Sequence, residues 1–213
     1  MAGIALRMSI APPIDDPDLP LVSRARKGDE AAFRELVNRY ERRLYHVALR
    51  LCGNAADAED VLQETFLTVF RALRTFRGAS RVSTWMYRIA TNAALMHQRS
   101  RRHKPTEPLD AYLPSFRRDG RHKRIDIDYS AAARIERSIH HEQLSQIVFD
   151  ALRRLPTTIR TAVVLCDLEE MTAAAAADVL GIKAATVRQR VHRGRLLLRG
   201  YLDAVARSGM GTP

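Results

Sequence analysis

The side chains best suited to recognition lie in a run that begins at Lys183 and reads Lys-Ala-Ala-Thr-Val-Arg-Gln-Arg-Val-His-Arg-Gly-Arg-Leu-Leu-Leu-Arg. At helical spacing Val187, Val191 and Leu198 turn towards a core, and Arg188, Gln189, His192 and Arg193 turn away from it. Arginine pairs in a bidentate fashion with guanine and glutamine with adenine. Small residues at the helix start let the backbone approach phosphates. Lys183 and Thr186 complete a candidate surface for reading duplex DNA.

A second cluster is anionic. Asp57, Glu59, Asp60, Gln63 and Glu64 fall within two helical turns. Asp57 and Asp60 also suit helix capping and an acidic first turn. A carboxylate metal site is disfavoured because no histidine accompanies them. On a chain with 35 Lys and Arg against 24 Asp and Glu, an acidic face suits a basic protein partner.

Catalysis has no comparable cluster. The seven histidines are scattered relative to the carboxylates, which speaks against a nuclease or other enzyme. Cys52 and Cys166 each stand alone in apolar helical context and read as buried small hydrophobes, so neither zinc nor a disulfide framework is expected. No cofactor is expected.

The elements that must carry these clusters are all helical. Residues 1–17 hold Pro12, Pro13 and Pro17 and are expected to form a disordered tail. A short helix with Leu21, Val22 and Ala25 is predicted next, closed by Gly28 and followed by Asp29 as an N-cap. A long helix carries Phe33, Leu36, Val37, Tyr40, Leu44, Val47, Ala48 and Leu51 and ends at Gly53. The next is predicted to be capped by Asp57, with Val61, Leu62, Phe66, Val69, Phe70 and Leu73 inward. A loop from Thr75 to Ser83 leads to a helix from about Thr84 with Trp85, Ile89, Ala93 and Met96 inward, and the domain closes near residue 102.

Between Arg99 and Arg124 nine basic residues face three acids, and Pro105, Pro108, Pro114 and Gly120 interrupt any helix. The segment 103–138 therefore reads as a flexible basic linker able to follow a phosphate backbone, or as a solvated spacer. A second helical domain is expected over 139–206, followed by a tail at 207–213. Thr172 caps an alanine-rich helix that ends at Gly181, and the basic helix follows. Two short helices around a glycine turn are a helix-turn-helix signature.

A formal net charge of +11 makes a polyanion the natural partner. Neither a long apolar span nor a bulky basic amphipathic helix is present, so membrane insertion is not expected. Met1 to Ile10, interrupted by Arg7, is too short for a secretory core, and a cytoplasmic protein is expected, starting at Met1 or Met8.

The segments Asp57-Ala-Glu-Asp-Val-Leu-Gln-Glu-Thr-Phe, Thr75-Phe-Arg-Gly and Ser83-Thr-Trp-Met-Tyr-Arg-Ile-Ala-Thr-Asn92 together resemble region 2 of extracytoplasmic-function (ECF) sigma factors. Leu155-Pro156 and Thr186-Val-Arg-Gln-Arg resemble their region 4. The resemblance covers roughly residues 19–102 and 139–200 and implies an all-α protein of two small helical domains. It implies that Asp57, Glu59, Asp60, Gln63 and Glu64 bind the beta-prime clamp helices of core RNA polymerase, and that the second domain meets the beta flap. It further implies that Phe76, Arg77, Ser80, Arg88 and Asn92 take the melted non-template strand of the -10 element, and that the basic helix reads the -35 element of promoter DNA. An anti-sigma factor is implied as a regulator. A stand-alone helix-turn-helix regulator is the alternative, and it leaves Asp57 to Asn92 without a role.

One departure stands out. The family usually places an acidic pair and a large aliphatic residue where this chain has Ala174, Ala175 and Ala176. Alanine favours helix but buries little area, so packing behind the basic helix is expected to be thin and steadied by DNA or a protein partner.

Overall fold

The computed structural model describes residues 16–101 and 141–207. Within them all regular structure is helical. The expected linker at 103–138 lies outside the described residues, as do residues 1–15 and 208–213.

Local chemistry sets most helix boundaries in the first half. Helix α1 (Leu19–Arg26) begins with a proline in its first turn, where a missing N–H costs nothing. Helix α2 (Glu30–Cys52) is capped by Asp29, which accepts from the Ala32 N–H at 3.0 Å, and stops at Gly53, whose φ of 88° is left-handed. Leu36, Tyr40, Leu44, Val47, Ala48 and Leu51 form its buried stripe. Helices α3 (Ala55–Ala72) and α4 (Val82–Ser100) pack on that stripe and on each other.

Three expectations change here. Asn54, not Asp57, caps α3: its Oδ1 accepts from the Asp57 N–H at 2.9 Å. The chain leaves Gly53 in an extended conformation at Asn54, so the helix starts there and Asp57 falls at its third position. Phe70 and Met96 are exposed at 60% and 68% rather than inward. In α4 the buried line is Val82, Met86, Tyr87, Ala90, Thr91 and Ala94, with Trp85, Ile89 and Ala93 on its flank. Bulk alone pointed to the wrong register because a threonine and two alanines occupy the tightest positions between helices.

Asp16 falls within the segment expected as a loose tail, yet it is packed against the first domain. Asp16 is buried, and its Oδ2 accepts from the Val82 N–H at 2.5 Å. Asp18 accepts from Tyr40 and Arg39 of α2.

In the second half, α5 (His141–Arg154) and α6 (Thr157–Val163) meet at Pro156, and a π-helical turn follows at Val164–Leu168. Helix α7 (Ala173–Leu180) is capped by Thr172, which accepts from the Ala175 N–H at 3.2 Å, and ends at Gly181 with φ 65°. Helix α8 (Ala184–Arg207) follows. Its core side places Leu197 fully inside, where Leu198 was expected, and leaves Leu198 partly covered. A bidentate ion pair from Arg195 to Asp167, at 3.1 and 2.6 Å, ties α8 to the π-helical turn.

The two halves share a core. Helix α4 rests on α7, which supplies from within the chain a cover for the alanine-rich helix. Glu169, with its side chain 7% exposed, accepts from Arg50 at 2.6 Å and from the Tyr87 hydroxyl at 2.8 Å. Burial first, and then this carboxylate, push the Tyr87 hydroxyl well above the usual phenol range.

Gly194 marks the closest approach of α8 to α6. A Cβ there would lie 2.4 Å from Val163 Cγ2 and 3.0 Å from Ile159 Cγ2. Gly194→Ala is expected to destabilise the protein by about 1–3 kcal/mol through overpacking, despite alanine's better helix propensity. Urea unfolding measures this, and a variant as stable as the parent would contradict the close packing.

Candidate nucleic-acid and partner interface

Three surfaces gather the polar residues singled out in the sequence. The first is the N-terminal half of α8. With Val187 and Val191 buried, the helix turns Arg188, Gln189, His192 and Arg193 to solvent. Lys183 is exposed just before the helix, and Thr186 is half-buried in its first turn. All six expected residues therefore share one end of one helix, with α7 behind it across the Gly181 turn. Arg188 and His192 border a shallow cleft whose floor includes Cys166, Met171 and Val191. Arg195, on the same helix, is occupied by Asp167. Base readout needs unspent donors and acceptors at the helix start, which Arg188 and Gln189 supply.

The second surface is α3. Glu59, Asp60, Gln63 and Glu64 are exposed along one face. Leu67 and Phe70 extend that face towards the C-terminal end, 44% and 60% exposed. The Phe70 ring is held edge-on to Phe33 at 5.2 Å between centroids, so it is a positioned apolar group. Sequence reading missed this pair because Phe70 fits an amphipathic stripe and Leu67 carries no polar signal.

Asp57 departs from that face. It is buried, and it accepts from Asn54 at 2.8 Å and from Arg101, with His97 Nε2 at 3.3 Å. Its carboxylate joins the start of α3 to the end of α4, where Arg101 is the C-cap residue. It is thus occupied inside the fold and does not offer a free charge to a partner. Burial acts to raise its pKa, but hydrogen bonds from Asn54 and Arg101, with His97 close by, outweigh it and the net displacement is downward.

The third surface is the loop before α4 together with the exposed side of that helix. Arg77, Arg88 and Asn92 are exposed, and Ser80 is half-buried. Phe76, expected as an aromatic contact, is buried, and its ring packs on Trp85 with centroids 4.7 Å apart. The half-buried Trp85 is the more accessible of the two rings. Arg88 donates to the Asp178 carbonyl of α7 at 2.6 Å. The loop thus leads into α4, with Asn92 almost three turns along its exposed side, while Phe76 serves as its foot.

Burial pushes the Cys52 thiol up to about 11 and also raises Cys166, so neither is primed as a thiolate. Among the described residues no group of three or more His, Cys, Asp or Glu could hold a metal ion. No helix of the described residues is long and apolar enough to cross a membrane.

Two family profiles match the chain: sigma-70 region 2 over residues 36–104 and sigma-70 region 4 over residues 145–198. The ECF RNA polymerase sigma factor SigW of Bacillus subtilis is 32% identical over 181 residues, covering 85% of this chain and 94% of that protein. The ECF RNA polymerase sigma factor SigE of Mycolicibacterium smegmatis is 37% identical over 199 residues, covering 89% and 70%. The structure of CnrH in complex with the cytosolic domain of CnrY superposes with a TM-score of 0.63 at 28% identity, over 88% of this chain and 97% of that one. The sigma factor RpoE of Bartonella quintana, solved with the anti-sigma factor NepR, shares the fold with a TM-score of 0.58 at 20% identity.

The occupied Asp57 carboxylate makes a pH-dependent prediction. A depressed folded-state pKa contributes stability that is present above the unfolded value, near 3.8, and is lost as pH falls through the folded value. Asp57→Asn should destabilise by about 1 kcal/mol at neutral pH. The gap to the parent should close as pH drops below that value, as urea unfolding across pH would show. A gap that stays constant into acid would contradict the ionised, hydrogen-bonded Asp57.

Proposed function

The chain belongs to the ECF sigma factors of the sigma-70 family, and from that membership we infer how its surfaces divide the work of directing transcription initiation. One observation carries the reading. A base-reading face on α8 and an acidic face on α3 stand exposed on the same chain, so one molecule can hold DNA and a basic protein partner at once.

The second domain, 139–206, reads the -35 element as duplex. Arg188 and Gln189 contact base edges, while Lys183, Thr186, His192 and Arg193 serve phosphates and neighbouring bases. The first domain, 18–102, docks on the beta-prime clamp helices of core RNA polymerase through Glu59, Asp60, Gln63 and Glu64, with Leu67 and Phe70 as the apolar end of the contact. The second domain meets the beta flap, and the basic linker 103–138 follows the DNA between the two elements.

The -10 strand is captured at the loop and α4. Unstacking a base costs a few kcal/mol, which stacking and base-edge hydrogen bonds must offset. Asn92 offers a donor and an acceptor, and Arg77 and Ser80 line the approach. Trp85 takes the aromatic role once assigned to Phe76. Arg88 serves a phosphate after its exposed side chain leaves the Asp178 carbonyl.

The protein does no covalent chemistry itself and works in the cytoplasm beside the polymerase. An anti-sigma factor that covers the α3 face is its regulator. The stand-alone regulator reading explains α8 but gives the α3 face no task.

Mixing the protein with core RNA polymerase and a promoter library is expected to yield initiation at a defined sequence class. Specific duplex binding without core, and no initiation with it, would sink the assignment. Within that assay Asn92→Ala should slow promoter opening more than it weakens duplex binding, and Arg188→Ala should weaken -35 binding by about 1–3 kcal/mol. Equal loss of both steps in both variants would refute the division of labour.

A further inference from the structure

We propose that Asp16 is a positioning residue for strand capture, acting as the helix cap that α4 lacks in its own sequence and so fixing the loop Phe76–Arg81. The proposal rests on the reading of that loop as the strand-capture element.

Helix α4 opens without a side-chain cap, since Arg81 at its N-cap accepts nothing from the first turn. The first N–H groups of a helix have no partner within it, and a buried one must find an acceptor elsewhere. Val82 is fully buried, and its N–H donates to Asp16 Oδ2 at 2.5 Å across a separation of 66 residues. The other oxygen, Oδ1, accepts from the Asp18 N–H at 2.9 Å. A carboxylate is also the favoured charge at a helix N-terminus.

Asp16 is itself held in place. Its carbonyl accepts from the Leu19 N–H at 3.1 Å at the start of α1, and Asp18 is anchored to α2 by Arg39 and Tyr40. Burial, then the hydrogen bond to Asp18, raise the Tyr40 hydroxyl beyond the usual phenol range, so it stays a donor. The segment 16–18 is thus a strut running from α2 to the base of α4.

The strut governs the loop because it holds the loop's far end. The near end is fixed by Phe76 on Trp85. At the middle, Gly78 has a left-handed φ of 69°, a conformation that L side chains rarely adopt. With both ends held, Arg77, Ala79 and Arg81 remain outward. Releasing the Val82 end would let the loop and the first turn of α4 drift while Asn92, almost three turns on, stayed put. The bound base would then lose the joint grip of loop and helix.

The test uses the full chain assembled with core polymerase, comparing Asp16→Ala, Asp16→Asn and Asn92→Ala with the parent. Asp16→Ala should slow promoter opening by about tenfold, the effect of a lost helix cap expressed as a rate. Core assembly and -35 duplex affinity should stay within about twofold of the parent, as expected for surfaces that Asp16 does not touch. Asp16→Asn, which keeps one acceptor, should recover part of the rate. Parent-like opening in Asp16→Ala alongside slow opening in Asn92→Ala would overturn the role of Asp16 alone. Parent-like opening in Asn92→Ala would instead overturn the strand-capture reading. Uniform loss of assembly, duplex binding and opening in both Asp16 variants would make Asp16 a general fold residue and would also overturn the proposal.

Discussion

The apolar stripe of α2 is the constraint on which the rest of the molecule depends. Leu36, Tyr40, Leu44, Val47, Ala48 and Leu51 are all but inaccessible to solvent, and α1, α3 and α4 are placed by what they must cover on it. Because α3 turns Ala58, Val61, Thr65 and Val69 to the core along with Asp57, its other acidic residues, Glu59, Asp60 and Glu64, point outwards. Because α4 turns Met86, Ala90 and Ala94 inwards, Arg88 and Asn92 are left on the open side. Hydrophobic burial thus fixes where charge appears, without any direct interaction between the functional groups.

A second theme is the use of acid in a basic protein. Asp16, Asp57 and Glu169 are withdrawn from solvent, and each joins parts of the chain that helix packing alone would leave free to slide. Asp16 fastens the N-terminal segment to α4, Asp57 fastens α3 to the end of α4, and Glu169 fastens the second half to Arg50 and Tyr87 of the first. The acids that remain outside on α3 are therefore set apart from these fasteners, and they form the face proposed to meet a partner. The cations remain largely on the surface, where attraction to a polyanion is strongest.

Much of this was legible in the sequence where the determinant is local. Asp29, Gly53, Thr172 and Gly181 punctuate helices as their types demand, and the exposed row on α8 follows directly from the spacing of Val187 and Val191. The reading failed where two adjacent residues could do the same job or where the partner is remote. Asn54 and Asp57 are both good caps, and only the backbone at Gly53 decides between them. The register of α4 differs from expectation because its closest helix contacts take Ala90, Thr91 and Ala94, and leave Trp85 on the flank. Asp16 lies 66 residues from the Val82 N–H, and Glu169 lies 119 and 82 residues from Arg50 and Tyr87, distances over which no periodic pattern carries information. Leu67 and Phe70 were invisible for the opposite reason: an exposed apolar residue looks like a buried one until the packing is known.

The central claim is that the two halves of one chain hold two different forms of DNA at the same promoter. Site-specific photo-crosslinking, with the reactive group placed at position 92 or at position 188 in the polymerase holoenzyme, tests it most directly. Position 92 is expected to mark the melted non-template strand of the -10 element, and position 188 duplex at the -35 element. Crosslinks from both positions to one stretch of duplex, formed as readily without core polymerase, would contradict it.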